Sequence, residues 1–215
     1  MVGAPDVNLY ADVLQQIKVR LDQADRLLVA CPTDWSAELV LENAALHLRK
    51  VIELVVLSTL VTNRPVLERV SAKLHKQDAG EARKLIRRVN PDYWPEPIRT
   101  TQTGPGRVFE ILPVTDDYLL EGEWGKAFGW TSSILHARNP LDNPFDLPES
   151  RQRLEILARK ARTLLTEHRV HLVDDDQTVL GKLDRGDGVV STGLFERQAQ
   201  PGNREPVRNH DRGEG

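Results

Sequence analysis

Cysteine is almost missing from this chain. One residue, Cys31, occurs among 215, so no internal disulfide can form and no zinc site can be assembled from thiolates. With no obvious base near it in sequence, Cys31 reads as a small apolar side chain destined for the interior. Long apolar runs are missing as well. The most apolar stretch, Val51 to Val61, is interrupted by Glu53 and falls far short of the roughly 20 residues that span a bilayer. Met1 to Asp12 lacks the basic start and apolar stretch of a secretory leader. These absences predict a soluble, cytoplasmic protein with no membrane partner.

Neither sign of charge dominates. The 29 basic and 32 acidic side chains leave a net charge of −3, which removes any global pull toward nucleic acid while leaving a local basic patch open. Fourteen glycines and 13 prolines are ordinary usage and exclude a collagen-like or low-complexity chain. No internal repeat is visible. A Gly-x-Ser-x-Gly elbow, a His-Glu-x-x-His pair and a dinucleotide fingerprint are all lacking, and no residue pattern calls for a cofactor or a metal.

What is present is helical periodicity. A hydrophobic fraction of 40% supports one core, and the length suggests one domain with an appendage. Apolar residues at three- and four-residue steps predict a helix from Leu9 to Ala30, ended by Cys31-Pro32. A second helix, Asp34 to Thr62, is apolar on most sides and is therefore expected at the centre. Asn63-Arg64-Pro65 breaks it, and shorter helices are expected over Pro65 to Lys76 and Gly80 to Val89. Residues 90–115, punctuated by prolines, read as irregular, with a short strand over Arg107 to Leu112. A helix over Thr115 to Ala137 and another opening at Pro148 complete the set. After His168, short β-branched runs separated by turn residues predict strands. The expected fold is mainly α: an up-down bundle of about four main helices over 1–168, a small antiparallel β meander over 169–198, and a disordered tail over 199–215.

Two arrangements carry chemistry. On the second helix Glu38, Glu42, Arg49 and Glu53 share an arc of about 60° at 100° per residue. This band is either a solvated stripe with an ordinary Arg49–Glu53 pair, or a buried polar seam of the kind that marks function. On the later helix Gly125, Gly129, Ser132 and His136 form a stripe of small residues ending in an imidazole. Two glycines inside a helix cost roughly 1 kcal/mol each against alanine, so they suggest close approach by something. His136, Arg138 and Asn139 together can move a proton and hold a phosphate; alternatively His136 is a capping residue favoured by the helix dipole.

Other groupings are plainer. Thr103-Gly104-Pro105-Gly106-Arg107, with Arg99, lacks the ending of a P-loop and reads as a loop. Arg83, Lys84, Arg87 and Arg88 form a basic run that is either a phosphate contact or a solvated face. Tyr93 and Trp94 stack on a base or pack over the bundle's end. Asp174, Asp175 and Asp176 lack the spacing of a calcium loop, and His168 and His171 are assigned no metal.

The run Leu48-Arg49-Lys50-Val51-Ile52-Glu53-Leu54 on a long apolar helix, followed by a late helix ending Leu135-His136-Ala137-Arg138-Asn139-Pro140, resembles the HEPN-like helical bundles over about residues 9–168. That superfamily contains metal-independent ribonucleases that act as homodimers, and non-catalytic binding modules, in prokaryotic defence and toxin–antitoxin systems. Its active motif places a histidine four to six positions after an arginine; here His136 precedes Arg138. The resemblance therefore implies a protein-interaction module or, as the alternative, a ribonuclease. In the nuclease His136 would be the acid/base, Arg138 and Arg49 would hold the phosphate, Asn139 would orient the RNA, and Glu42 or Glu53 would fix the arginine. Expected partners are a second copy or another protein, with RNA for the nuclease.

Overall fold

A computed structural model describes residues 5–103, 109–137, 139, 141, 145–173, 177–184 and 186–196. The expected tail over 199–215, Asp174 to Asp176, Arg138 and most of the Thr103 to Arg107 loop lie outside these residues. Six α-helices and five strands occupy the described chain.

Helix α1 (Val7–Val29) opens where the Asp6 carboxylate accepts from the Leu9 amide at 3.0 Å, satisfying one of the donors a helix start leaves free. Tyr10, Leu14, Ile17, Leu21, Ala24 and Leu28 recur every three or four residues and are buried. Helix α2 (Ala37–Thr62) is about 39 Å long at 1.5 Å per residue. It is the centre of the molecule, packed against α1, α4 (Ala79–Val89), α5 (Trp124–Leu135) and α6 (Leu147–Thr166). Its near-continuous apolar composition follows from that position. Helix α3 (Arg64–Val70) is a short turn after Asn63. Asp78 and Asp146 cap α4 and α6 as Asp6 caps α1, accepting from Glu81 and Glu149 at 2.8 Å and 2.9 Å.

The strands make one antiparallel sheet in the order β2-β1-β3-β4-β5, from β1 (Glu96–Gln102), β2 (Phe109–Pro113), β3 (Glu167–His171), β4 (Gln177–Lys182) and β5 (Ser191–Glu196). Helix α6 runs into β3 without a connecting loop, so its last turn fixes the sheet's position. The expected meander is thus three strands of a five-stranded sheet. Two of the five come from the stretch that sequence alone reads as irregular, and the short strand expected there is β2. β1 is hidden from pattern reading by Pro95 and Pro97, yet Pro97 sits where β1 has only just joined β3, opposite His168. A proline costs little at a strand's start.

The later helix is also shorter than expected. Residues before Trp124 do not join α5, because the Leu119 amide bonds to the Lys160 carbonyl at 3.1 Å and Asp117 holds a positive φ of 60°. The Glu123 carboxylate then accepts from the Leu120 amide at 3.0 Å and marks the turn that leads into α5.

Helices and sheet share one core. Val170, Val179 and Leu183 belong to the same buried cluster as Leu14, Leu48 and Leu164. Where β4 crosses, Gly181 is required: a Cβ there would lie 2.6 Å from His168 Cε1.

Candidate functional site

The polar band of α2 and the α5 stripe meet through Arg49. α5 runs antiparallel to α2: Trp124 Nε1 donates to the Ile52 carbonyl at 2.9 Å, and further along α5 Ser132 Oγ accepts from Arg49. Arg49 also donates to Glu53 at 3.3 Å, and its guanidinium lies 4.0 Å from the centre of the Phe128 ring. Phe128 stacks on Trp124 at 4.9 Å with 18° between planes. The Arg83 guanidinium lies 5.4 Å from the Trp124 ring centre and pairs with Glu121. The result is a cluster of two stacked rings with a cation against each. It uses the negative ring faces as acceptors for charge and locks α2, α4 and α5 together.

The band's carboxylates divide into two kinds. Glu53 holds both Arg49 and, at 2.8 Å, Lys50. Glu38 and Glu42 are half-buried and have no ion-pair partner among the described residues. His136 follows the last residue of α5 with extended backbone angles (φ −84°, ψ 139°) and is exposed. It occupies the C-cap position of α5, and among the described residues it forms no ion pair with a carboxylate. Asn139 is exposed, and its Oδ1 accepts from the Leu141 amide at 3.0 Å, which makes it a turn residue. The structure therefore brings together Arg49, Glu53 and Ser132 and leaves Glu42, His136 and Asn139 without contacts to them.

The two glycines of α5 face open space: a Cβ on Gly125 or Gly129 would meet nothing within 4 Å. The close approach expected from the sequence does not occur within the described chain. Tyr93 is not free to stack on a base either. It is fully buried and its hydroxyl donates to Glu121 at 3.0 Å; burial and that carboxylate raise its pKa. Trp94 Nε1 donates to the Leu119 carbonyl at 3.0 Å. Both residues pin the segment ahead of α5. In the basic run of α4, Arg83 is committed to Trp124 and Glu121, Arg87 lies 3.9 Å from Glu121, and Lys84 pairs with Glu81 at 2.8 Å. Cys31 is half-buried beside Pro32.

Sequence reasoning missed the buried polar contact between layers. Tyr10 and His168 are both fully buried, with the hydroxyl 2.6 Å from Nε2. His168 Nδ1 lies 3.0 Å from the Leu165 carbonyl, which can only accept, so Nδ1 carries the proton and Tyr10 donates to Nε2. The available signal was Tyr10 itself, a hydroxyl on the buried stripe of α1 that had to find a partner. The outward face of the sheet carries a second network. Arg169 and His171 hold Glu96 at 2.7 Å and 3.1 Å, and the Arg169 hydrogen bond keeps that carboxyl below the usual range. Lys182 reaches Glu167 at 2.5 Å and Thr100 at 3.0 Å. These charges satisfy one another. A groove of about 510 Å³ opens elsewhere, between Leu9, Leu60, Arg64, Glu68 and His75.

No cluster of three metal-ligating side chains occurs among the described residues, and no described helix is long and apolar enough to cross a membrane. No family model, curated protein or solved structure matches the chain.

Proposed function

We propose that this chain is a non-catalytic protein-interaction module of the HEPN-like kind, serving a prokaryotic defence or toxin–antitoxin system and working through the α2–α5 face. The observation that carries the reading is on α2, where Leu39 and Leu46 are 52% and 42% exposed, just beyond an 83% exposed Trp35. Large apolar side chains grouped on one face mark a surface that another protein covers. The fate of Arg49 points the same way. Its guanidinium is committed to Glu53, Ser132 and Phe128, and so has little left for a phosphate. Glu38 and Glu42, with no partner among the described residues, repel an RNA backbone rather than attract it.

A metal-independent ribonuclease acting as a homodimer is the second reading, and one observation favours it. His136 is exposed just after the last residue of α5, so its imidazole is open to solvent and to a substrate from which it could take a proton. RNA cleavage by the purified protein in chelator, beside His136→Ala, separates the two. The interaction module gives equal background rates from both proteins. Cleavage that His136→Ala abolishes establishes the nuclease and removes the module.

A further inference from the structure

We infer that the N-terminal half of α2 is a docking surface for a basic amphipathic helix of a partner protein; this rests on the interaction-module reading above. The surface arises from a mismatch of lengths. Leu39 precedes Arg49 by about 15 Å of helix, whereas α5 continues only about 4.5 Å past Ser132, the residue that meets Arg49. On this flank α2 outruns its neighbour. What it presents there is Leu39, Leu46, Glu38 and Glu42 within an arc of about 100°, with Trp35 in the turn just before the helix.

Charge decides the occupant. Most other helix carboxylates hold cations of this chain: Asp22 holds Lys18 and Arg162, Glu53 holds Arg49 and Lys50, and Glu149 holds Arg153, whereas Asp12 on α1 is exposed with no ion pair among the described residues. Glu38 and Glu42 hold none among the described residues, although both are half-buried. Their field is unspent beside exposed leucines. An apolar surface flanked by free carboxylates is complementary to apolar anchors flanked by lysine or arginine. The separation of Leu39 and Leu46, two turns or about 10.5 Å, matches anchors at i and i+7 of a docking helix. RNA does not fit, because it has no apolar stripe and carries the wrong sign. A second copy of this chain would bring the same glutamates to face each other.

The test uses the full chain and a fluorescein-labelled 18-residue peptide with leucine at i, i+4, i+7 and i+11 and lysine elsewhere, beside the same peptide with glutamate for lysine. Anisotropy titration is expected to show saturable binding of the lysine peptide and none of the glutamate peptide. Glu38→Gln/Glu42→Gln and Leu39→Ser/Leu46→Ser each weaken binding by about tenfold or more. Glu149→Gln/Glu155→Gln on α6 leaves it unchanged. Leu39 and Leu46 are exposed and Glu38 and Glu42 half-buried, none lying in the core, and an unchanged far-UV circular dichroism spectrum confirms that the variants fold. Equal binding of the two peptides, or equal loss from the α2 and α6 glutamine pairs, overturns this inference while leaving the interaction module standing. A dimer by light scattering that Leu39→Ser/Leu46→Ser dissolves also overturns it, because a second copy then occupies the face. His136-dependent RNA cleavage, by contrast, removes the underlying reading.

Discussion

His168 sits wholly inside the protein between the Tyr10 phenol and the Leu165 carbonyl, and burial lowers its pKa to about 4. The unfolded chain takes up that proton near the ordinary value of 6.5, whereas the native chain resists until about pH 4. Between those limits the unfolded state binds more protons, so stability is complete above pH 6.5 and falls as the pH drops. The loss between pH 7.5 and pH 5 is roughly 2 kcal/mol from this group alone. Urea midpoints at the two pH values are expected to diverge in the native protein and to converge in His168→Gln, which cannot take the proton. An unchanged difference in the variant would assign the acid sensitivity to other groups. The same contact makes Gly181→Ala destabilising by about 1–3 kcal/mol, since the new methyl would also lie 2.9 Å from Leu14 Cδ1. Chemical denaturation measures this, and a neutral result would mean that the imidazole yields its place freely.

At the scale of elements, the glycines of α5 invite the opposite experiment. Gly125 and Gly129 have positions that a methyl can fill without contact, and alanine is favoured over glycine inside a helix by up to about 1 kcal/mol. Gly125→Ala and Gly129→Ala are therefore expected to raise the melting temperature, each by a few degrees. A fall in either would reveal a close neighbour that the described residues do not include. How much of each element could be seen in advance depended on what held it. The periodic helices α1, α2, α4 and α6 are legible because their own apolar spacing places them against the core. β1 was illegible because its identity comes from β2 and β3 across the sheet, while its own residues include Pro97 and open polar positions. The start of α5 was set by a bond to α6, the Leu119 amide on Lys160, and no local pattern encodes a contact 41 residues away. The Arg49–Glu53 pair followed from i,i+4 spacing, but its capture by Ser132 and Phe128 did not, because that required knowing which face of α5 turns inward.

Taken as a whole, the two halves of α2 differ in what they pack against, and the proposed docking surface uses only one of them. Toward its C-terminal end, Ser58, Val55 and Val56 are buried with Tyr10 and the sheet residues Val170 and Val179; toward its N-terminal end, Leu39 and Leu46 face outward. About 28 Å of helix separates Leu39 from Ser58. Stability and binding should therefore respond to different parts of the chain. A chain ending at Thr166 loses His168, Val170, Val179 and Leu183, all of which fill the common core, and strands the Tyr10 hydroxyl without its acceptor. An unsatisfied buried hydroxyl and an opened core each cost more than a marginal domain holds in reserve. The truncated chain is expected to lose near-UV circular dichroism and to bind a hydrophobic dye, while the full chain unfolds in one transition by tryptophan fluorescence and far-UV signal alike. Leu39→Ser/Leu46→Ser, in contrast, alters two side chains outside the buried core and should cost only about 1 kcal/mol in sum. A truncated chain that still melts cooperatively at the parent temperature would show that the helices stand without the sheet; a large destabilisation by the leucine pair would show that these side chains serve the fold rather than a partner.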